Sequence, residues 1–270
     1  ITQALNFVAS CNAVSYADAQ PIFVDVDLDT LGMSPGALRK FLEKNAEVKT
    51  RGAINKTTGN RISACVPMHT FGVPCRISEI SEVCREWKIP LIEDAAEALG
   101  SYSQGVHAGT VGVMSVFSFN GNKIVTSGGG GIILLKSKKL YNRSKHLIFQ
   151  AYKDPINFVH DDVGYNFGLS NLHAAVGLSQ IKNLNKIIEK RLKTHQIYVK
   201  YINKIKGLKI IENPDYCFSN NWLNILEVDE KLYGISKKKI IEKFKKLKIE
   251  TKSLWYPNHL QKKFKIYETF

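Results

Sequence analysis

Several things are missing from this 270-residue chain, and each absence closes a class of function. No two of its five cysteines (Cys11, Cys65, Cys75, Cys84, Cys217) have C-x-x-C spacing, and the number is odd. That excludes a disulfide framework or cysteine zinc site and predicts reduced, cytosolic thiols. The seven histidines are equally scattered, with no H-x-x-x-H pair. No apolar run is long enough to span a bilayer. No G-x-x-x-x-G-K-[ST] or G-x-G-x-x-G pattern occurs, so nucleotide hydrolysis and dinucleotide binding have no motif behind them. There are no internal repeats and no low-complexity linker.

Arginine is scarce where positive charge is densest. The net charge is +14, and from Ile181 onward 21 Lys and Arg face 9 Asp and Glu, yet only Arg191 among those cations is arginine. The lysines alternate with apolar residues at helical spacing. In "SKKKIIEKFKKLKIE" (Ser236–Glu250), Ile240, Ile241, Phe244 and Leu247 form one face and the lysines coat the other. This is the pattern of a solvated helix face rather than a nucleic-acid site. It leaves room for a general pull on an anionic substrate.

What is present is strand–helix alternation. "PIFVDVD" (Pro21–Asp27), "RISACVPMH" (Arg61–His69), "IPLIEDAA" (Ile89–Ala96), Met114–Phe119 and Gly131–Leu135 read as strands. "SPGALRKFLEK" (Ser34–Lys44) reads as a helix with an N-cap Ser and Pro at its first position, and "ISEISEVCREWK" (Ile77–Lys88) as an amphipathic one. Such alternation predicts an α/β fold with a mainly parallel sheet covered by helices, with ligands beyond the carboxyl ends of the strands. From Ser170 to about Lys204 the pattern predicts one long helix. Beyond it come strands near Leu208–Ile211 and Trp222–Val228 and a helix over Ser236–Lys248. The expected division is a large domain over 1–180, then a linker helix and small α+β domain over 181–270. The chain starts at Ile1 inside a strand or turn pattern and stops at Phe270 without a terminating signal. The expectation is a piece of a longer protein.

Two groups carry candidate chemistry at strand ends. Asp94 closes the apolar strand in "IEDAA", and Lys123 sits in "SFNGNKIVTSGGGG" (Ser118–Gly131) with no charged neighbour nearby. A lysine can bond covalently to a carbonyl cofactor and later shuttle a proton. Pyridoxal phosphate needs such a lysine and a carboxylate against its pyridine nitrogen. A strand-end Asp is also an ordinary cap, so the pair alone leaves both readings open. Glycines 128–131 read as a turn into the next strand, His69 as a packed structural residue, and His173 as core or interface.

The blocks around these residues narrow the choice. "ITQALNFVAS" (Ile1–Ser10), "PIFVDVD", "PMHTFGVP" (Pro67–Pro74), "IEDAAEALGS" (Ile92–Ser101), "SFNGNKIVTSGGGG" and "VGYNFGLSNLHAAVGLSQI" (Val163–Ile181) occur in that order over about the first two-thirds of the chain. Together they resemble the DegT/DnrJ/EryC1/StrS pyridoxal-phosphate aminotransferases, which act on nucleotide-linked keto sugars. The resemblance implies fold type I. It implies Lys123 as the Schiff-base lysine, Asp94 as the pyridinium partner, Ser118 as a phosphate-binding hydroxyl and Phe7 as the aromatic stacked on the cofactor ring. It implies that Asn166 reaches the phosphate in the neighbouring subunit of a homodimer, and it puts Glu97 where the family often has Gln or His. It further implies glutamate as amino donor. The wording of the Asp94 and Lys123 blocks resembles the subgroup acting at C4 of nucleotide-linked 4-keto-6-deoxy-N-acetylhexosamines for bacterial surface glycans.

Two departures stand out. Gly168 occupies a position where the family commonly has Arg, and the family's Gly-Thr phosphate turn lies upstream of the segment matching Ile1–Ser10. Two other readings remain: a dehydratase of the same family, in which the lysine is often replaced by His, and a non-catalytic basic binding protein.

Overall fold

The computed structural model describes residues 1–270. Its centre is a sheet assembled from short ladders and single bridges. Ile92–Asp94 runs parallel to Met114–Ser118, which pairs antiparallel with Gly131–Leu135. On the other side, parallel bridges join Leu91 to Cys65 and Asp94 to Met68, and Val66 to Thr2. Thr2–Gln3 then pairs parallel with Phe23–Val24, and Phe23 bridges in parallel to Thr269. All of these strands run the same way except Gly131–Leu135. The expected strand over Arg61–His69 thus appears as single bridges at Cys65, Val66 and Met68 rather than as a continuous ladder.

Helices cover this sheet where the apolar periodicity places them. Pro35–Asn45 is capped by the Ser34 hydroxyl, which accepts the Ala37 N–H, and it buries Leu38, Phe41 and Leu42. Ile77–Glu86 buries Ile80, Val83 and Cys84 against the same cluster, together with Val24 and Met33. Truncating a side chain such as Phe41 there costs about 3–5 kcal/mol.

The predicted single long helix is two. Asn171–Lys182 ends and Leu184–Ile202 begins at Asn183, whose φ of −103° and ψ of 3° are not helical and whose side-chain amide donates to the Ser179 carbonyl. An asparagine satisfies its own backbone this way and competes with helix continuation. His173 is exposed on the first of these helices, so it is not core. The lysine-rich helix spans Lys237–Lys246 with Ser236 as its cap. No helix is long and apolar enough to cross a membrane.

Residues on both sides of position 180 share hydrophobic clusters. Ile188 and Trp222 pack with Leu5, Phe71, Phe119 and Val125, while Phe264 packs with Cys11 and Phe23. Asn258 donates to the Asn6 carbonyl at 2.7 Å. The end of the chain therefore returns to the sheet that the beginning starts.

Candidate active site

Asp94 and Ser118 are the last residues of adjacent parallel strands, with Asp94 registered opposite Val116. This is the sheet edge where open α/β sheets bind ligands. Asp94 is held from two sides. Its Oδ2 accepts the Ser10 hydroxyl at 2.5 Å, and its Oδ1 accepts the Ala96 N–H at 3.1 Å. Ser118 Oγ accepts the Asn120 N–H at 3.2 Å, which leaves its own O–H proton available to an anion.

The turn after Ser118 delivers Lys123. Its amine donates to Glu97 Oε1 at 2.8 Å, with the lysine side chain 12% exposed and the glutamate 1%. Glu97 Oε2 accepts the Phe71 N–H at 2.9 Å. Presenting that N–H requires the turn Thr70–Gly72, in which Phe71 has φ +56°. A left-handed phenylalanine is strained by about 1–3 kcal/mol and persists only when its surroundings hold it. Gly72 follows at φ +88°, and a Cβ there would lie 2.1 Å from Asn220 Oδ1, so only glycine fits.

Burial pushes the Glu97 carboxyl up to about 7 despite the opposing pull of Lys123, and the Asp94 charge adds to the rise. Geometry alone suggests a permanent ion pair. The raised value means that the carboxyl keeps its proton to near neutrality, because desolvation of a fully buried carboxylate is the larger effect. Between about 4.5 and about 7 the folded protein retains a proton that the unfolded chain has lost, so this group's stabilisation declines as pH rises through that window. The melting temperature of wild type relative to Glu97→Gln should therefore fall from about pH 5 to about pH 7. A pH-independent difference between the two melting curves would contradict the raised carboxyl.

Behind the Asp94 strand lies a second, fully buried pair. Glu93 Oε2 meets His69 Nε2 at 3.0 Å and the Gly109 N–H at 2.7 Å, while Oε1 accepts the Val111 and Gly112 N–H groups at 2.7 and 2.6 Å. His69 Nδ1 accepts the Cys75 N–H at 3.3 Å. His69 is thus the packed structural residue its sequence context suggests.

The structure brings together Lys123, Glu97 and Asp94, with Ser118 at the same sheet edge. Phe7 lies at the margin: it is exposed, and its ring centre is 5.7 Å from that of Trp255, which is 4.5 Å from Phe71. Asn166 lies apart, exposed in a loop bridged to Phe149. A Cβ at Gly168 would sit 2.7 Å from the Phe149 ring, which is the local reason a longer side chain does not fit there as the loop stands. The residues that sequence reading passes over are Ser10, Phe71, Asn220 and Trp222. The one local signal for the last two is the polar run "SNN" (Ser219–Asn221) directly before a tryptophan, all of it buried.

Comparison with known proteins places this geometry. The chain is 34% identical over 264 residues to EpsN of Bacillus subtilis (strain 168), covering 97% of this chain and 64% of that protein. It is 32% identical over 260 residues to the GDP-perosamine synthase of Escherichia coli O157:H7, covering 96% and 65%. It thus spans just under two-thirds of these relatives' length. Among solved structures, the aminotransferase TlmJ from Streptoalloteichus hindustanus superposes with a TM-score of 0.84 at 25% identity, covering 97% of this chain and 67% of that one. The mixed architecture is accordingly that of fold type I. The DegT/DnrJ/EryC1/StrS aminotransferase family matches residues 1–269, and the chain belongs to that family.

Proposed function

We propose that this chain is the lysine-bearing part of a sugar aminotransferase. It moves an amino group from glutamate to a nucleotide-linked 4-keto-6-deoxy sugar. The observation that carries this reading is the Lys123 amine, held by a buried carboxylate beside the strand end that bears Asp94. Pyridoxal phosphate is the cofactor of the family, and the residues present suit it. The site offers a free amine, a second carboxylate already oriented by Ser10 and Ala96, and a Ser118 hydroxyl with its proton uncommitted. When bound, the cofactor supplies an electron sink for the carbon that loses a proton.

In this reading Asp94 would hold the pyridine nitrogen protonated, and Ser118 would donate to the phosphate. Lys123 Nζ would carry the proton that leaves the α-carbon of the donor and, in the second half-reaction, the proton that the sugar carbon gains. Phe7, exposed at the margin, would offer an aromatic face to the ring. The net charge of +14 favours encounter with a dianionic nucleotide diphosphate.

A homodimer is supported by the segment around Asn166, where Ile156, Phe158, Val163, Phe167 and Leu172 are all more than 70% exposed. Large apolar side chains exposed in one stretch of chain favour an interface there. Asn166 makes no contact with Lys123, Glu97 or Asp94, which favours its serving the partner's site. Retention of Lys123 favours amino transfer over dehydration.

The test is direct. The chain mixed with pyridoxal phosphate should develop a visible absorption band that borohydride bleaches. Peptide mapping should then find the reduced adduct on Lys123. An adduct spread over surface lysines, or no band, would sink the reading and favour the basic binding protein.

A further inference from the structure

The Lys123 amine has a second neighbour that the proposed reaction does not use. The ring centre of Trp222 lies 4.1 Å from Nζ, in addition to the 2.8 Å contact with Glu97. Trp222 is buried, and its position is fixed from several directions. Its indole Nε1 donates to the Asn122 carbonyl at 2.6 Å, its backbone N–H donates to Asn220 Oδ1 at 2.9 Å, and its carbonyl accepts Arg191 Nη1 at 2.8 Å. The ring stacks at 29° on Phe71, the residue whose N–H holds Glu97. Asn220 Nδ2 donates to the carbonyls of Glu97 and Leu99. The segment Ser219–Trp222 therefore supplies one wall around Nζ and hydrogen-bonds the backbone of Glu97, which supplies the other, about a hundred residues away from Lys123 in sequence.

We infer that Trp222 is an active-site residue: its ring face and the Glu97 carboxylate form a cradle that seats the amine of Lys123 as an ammonium whenever that amine is not engaged by cofactor. That this amine is the reacting group rests on the function proposed above; the cradle itself does not. An ordinary core tryptophan needs no cation on its face, so burial alone leaves the 4.1 Å approach unexplained. An ammonium over an indole ring is attracted by the ring quadrupole, most strongly where water is excluded. The backbone bond to Asn122, the residue before Lys123, keeps the ring in step with the turn that carries the amine. The cradle thus gives the lysine a defined resting place, and it stabilises the form that must lose a proton before it can act as base. The charged groups around Nζ are Glu97 in contact, Asp94 beyond it and Arg191 behind the Trp222 carbonyl. All three remain in the variants below.

The experiment uses the full chain without added cofactor. Acetic anhydride, which reacts only with neutral amines, is pulsed at a series of pH values, and labelling of the Lys123 peptide is read by mass spectrometry. In Trp222→Leu the midpoint of the labelling curve should move down by about half to one pH unit, equivalent to roughly three- to tenfold faster labelling below the midpoint. Trp222→Phe, which keeps an aromatic face, should recover most of the shift. Easier access alone would raise the plateau and leave the midpoint in place, and coincident midpoints would overturn the inference. Should Trp222→Leu fail to fold, wild type decides. Its Trp222 indole N–H resonance should titrate with the Lys123 labelling curve and lose that titration in Lys123→Met. An indole signal indifferent to Lys123 would overturn the cradle. Failure to trap cofactor on Lys123 would sink the aminotransferase reading while leaving these curves unchanged.

Discussion

If the proposed function holds, a Lys123→Ala chain is expected to lose transamination by about a thousandfold or more, since in that proposal both the covalent anchor and the proton carrier go with one side chain. No other lysine contacts Glu97, so none stands ready to substitute. The same variant tests the shared site. An Asn166→Ala chain should also be weak alone, because in the proposed dimer it lacks a phosphate contact across the interface. Mixing the two with subunit exchange gives about half mixed dimers. In each mixed dimer one site takes its lysine from the Asn166→Ala chain and its asparagine from the Lys123→Ala chain, and is intact. The other site carries both lesions. Activity should therefore return to roughly a quarter of wild type. Recovery no greater than the two separate variants, with exchange confirmed, would mean that Asn166 serves its own chain or no site at all. Substantial turnover by Lys123→Ala alone would remove the lysine from the mechanism.

The largest stability effect is expected at Glu93, a residue without a part in the chemistry. Glu93→Gln should destabilise the protein by about 3–5 kcal/mol, read by denaturant unfolding. Each oxygen of the carboxylate accepts from two donors, and His69, Gly109 and Gly112 among them are buried. An amide must turn its NH2 group toward one pair, which sets donor against donor inside the core. Burial penalises the Glu93 charge, but His69 and the loop N–H groups outweigh it and hold the carboxyl below its ordinary range. A carboxyl held low stabilises above its ordinary value of 4.5 and loses that contribution as pH falls. The penalty of the substitution should thus be greatest above about pH 4.5 and shrink as the carboxyl protonates. A loss below about 1 kcal/mol would mean that the Gly109–Gly112 loop holds itself.

Periodicity alone determined much of this protein. Alternation of apolar strands with amphipathic helices settles a helix-covered, mainly parallel sheet, because each strand must bury both faces and each helix one. The same reading puts Asp94 and Lys123 at the ends of strands, since a polar residue that ends an apolar strand must lie where the layer opens, while Ser118 enters only through the family resemblance. It also predicts the cap at Ser34. What only the tertiary structure decided lies in contacts that no local period encodes. The break at Asn183 depends on an asparagine choosing its own backbone over the helix. The left-handed turn at Phe71 is strained in isolation and exists because Glu97, Gly72 and Asn220 meet there. Glu93 lies on a strand and His69 just past the Met68 bridge, and both read as buried residues of strand patterns until packing sets them 3.0 Å apart. Trp222 reads as one aromatic in a strand pattern, and packing across about a hundred residues of chain brings its ring over Lys123. Local patterns fix which face of an element is buried; the partner it meets on that face is chosen by the closing of the whole core.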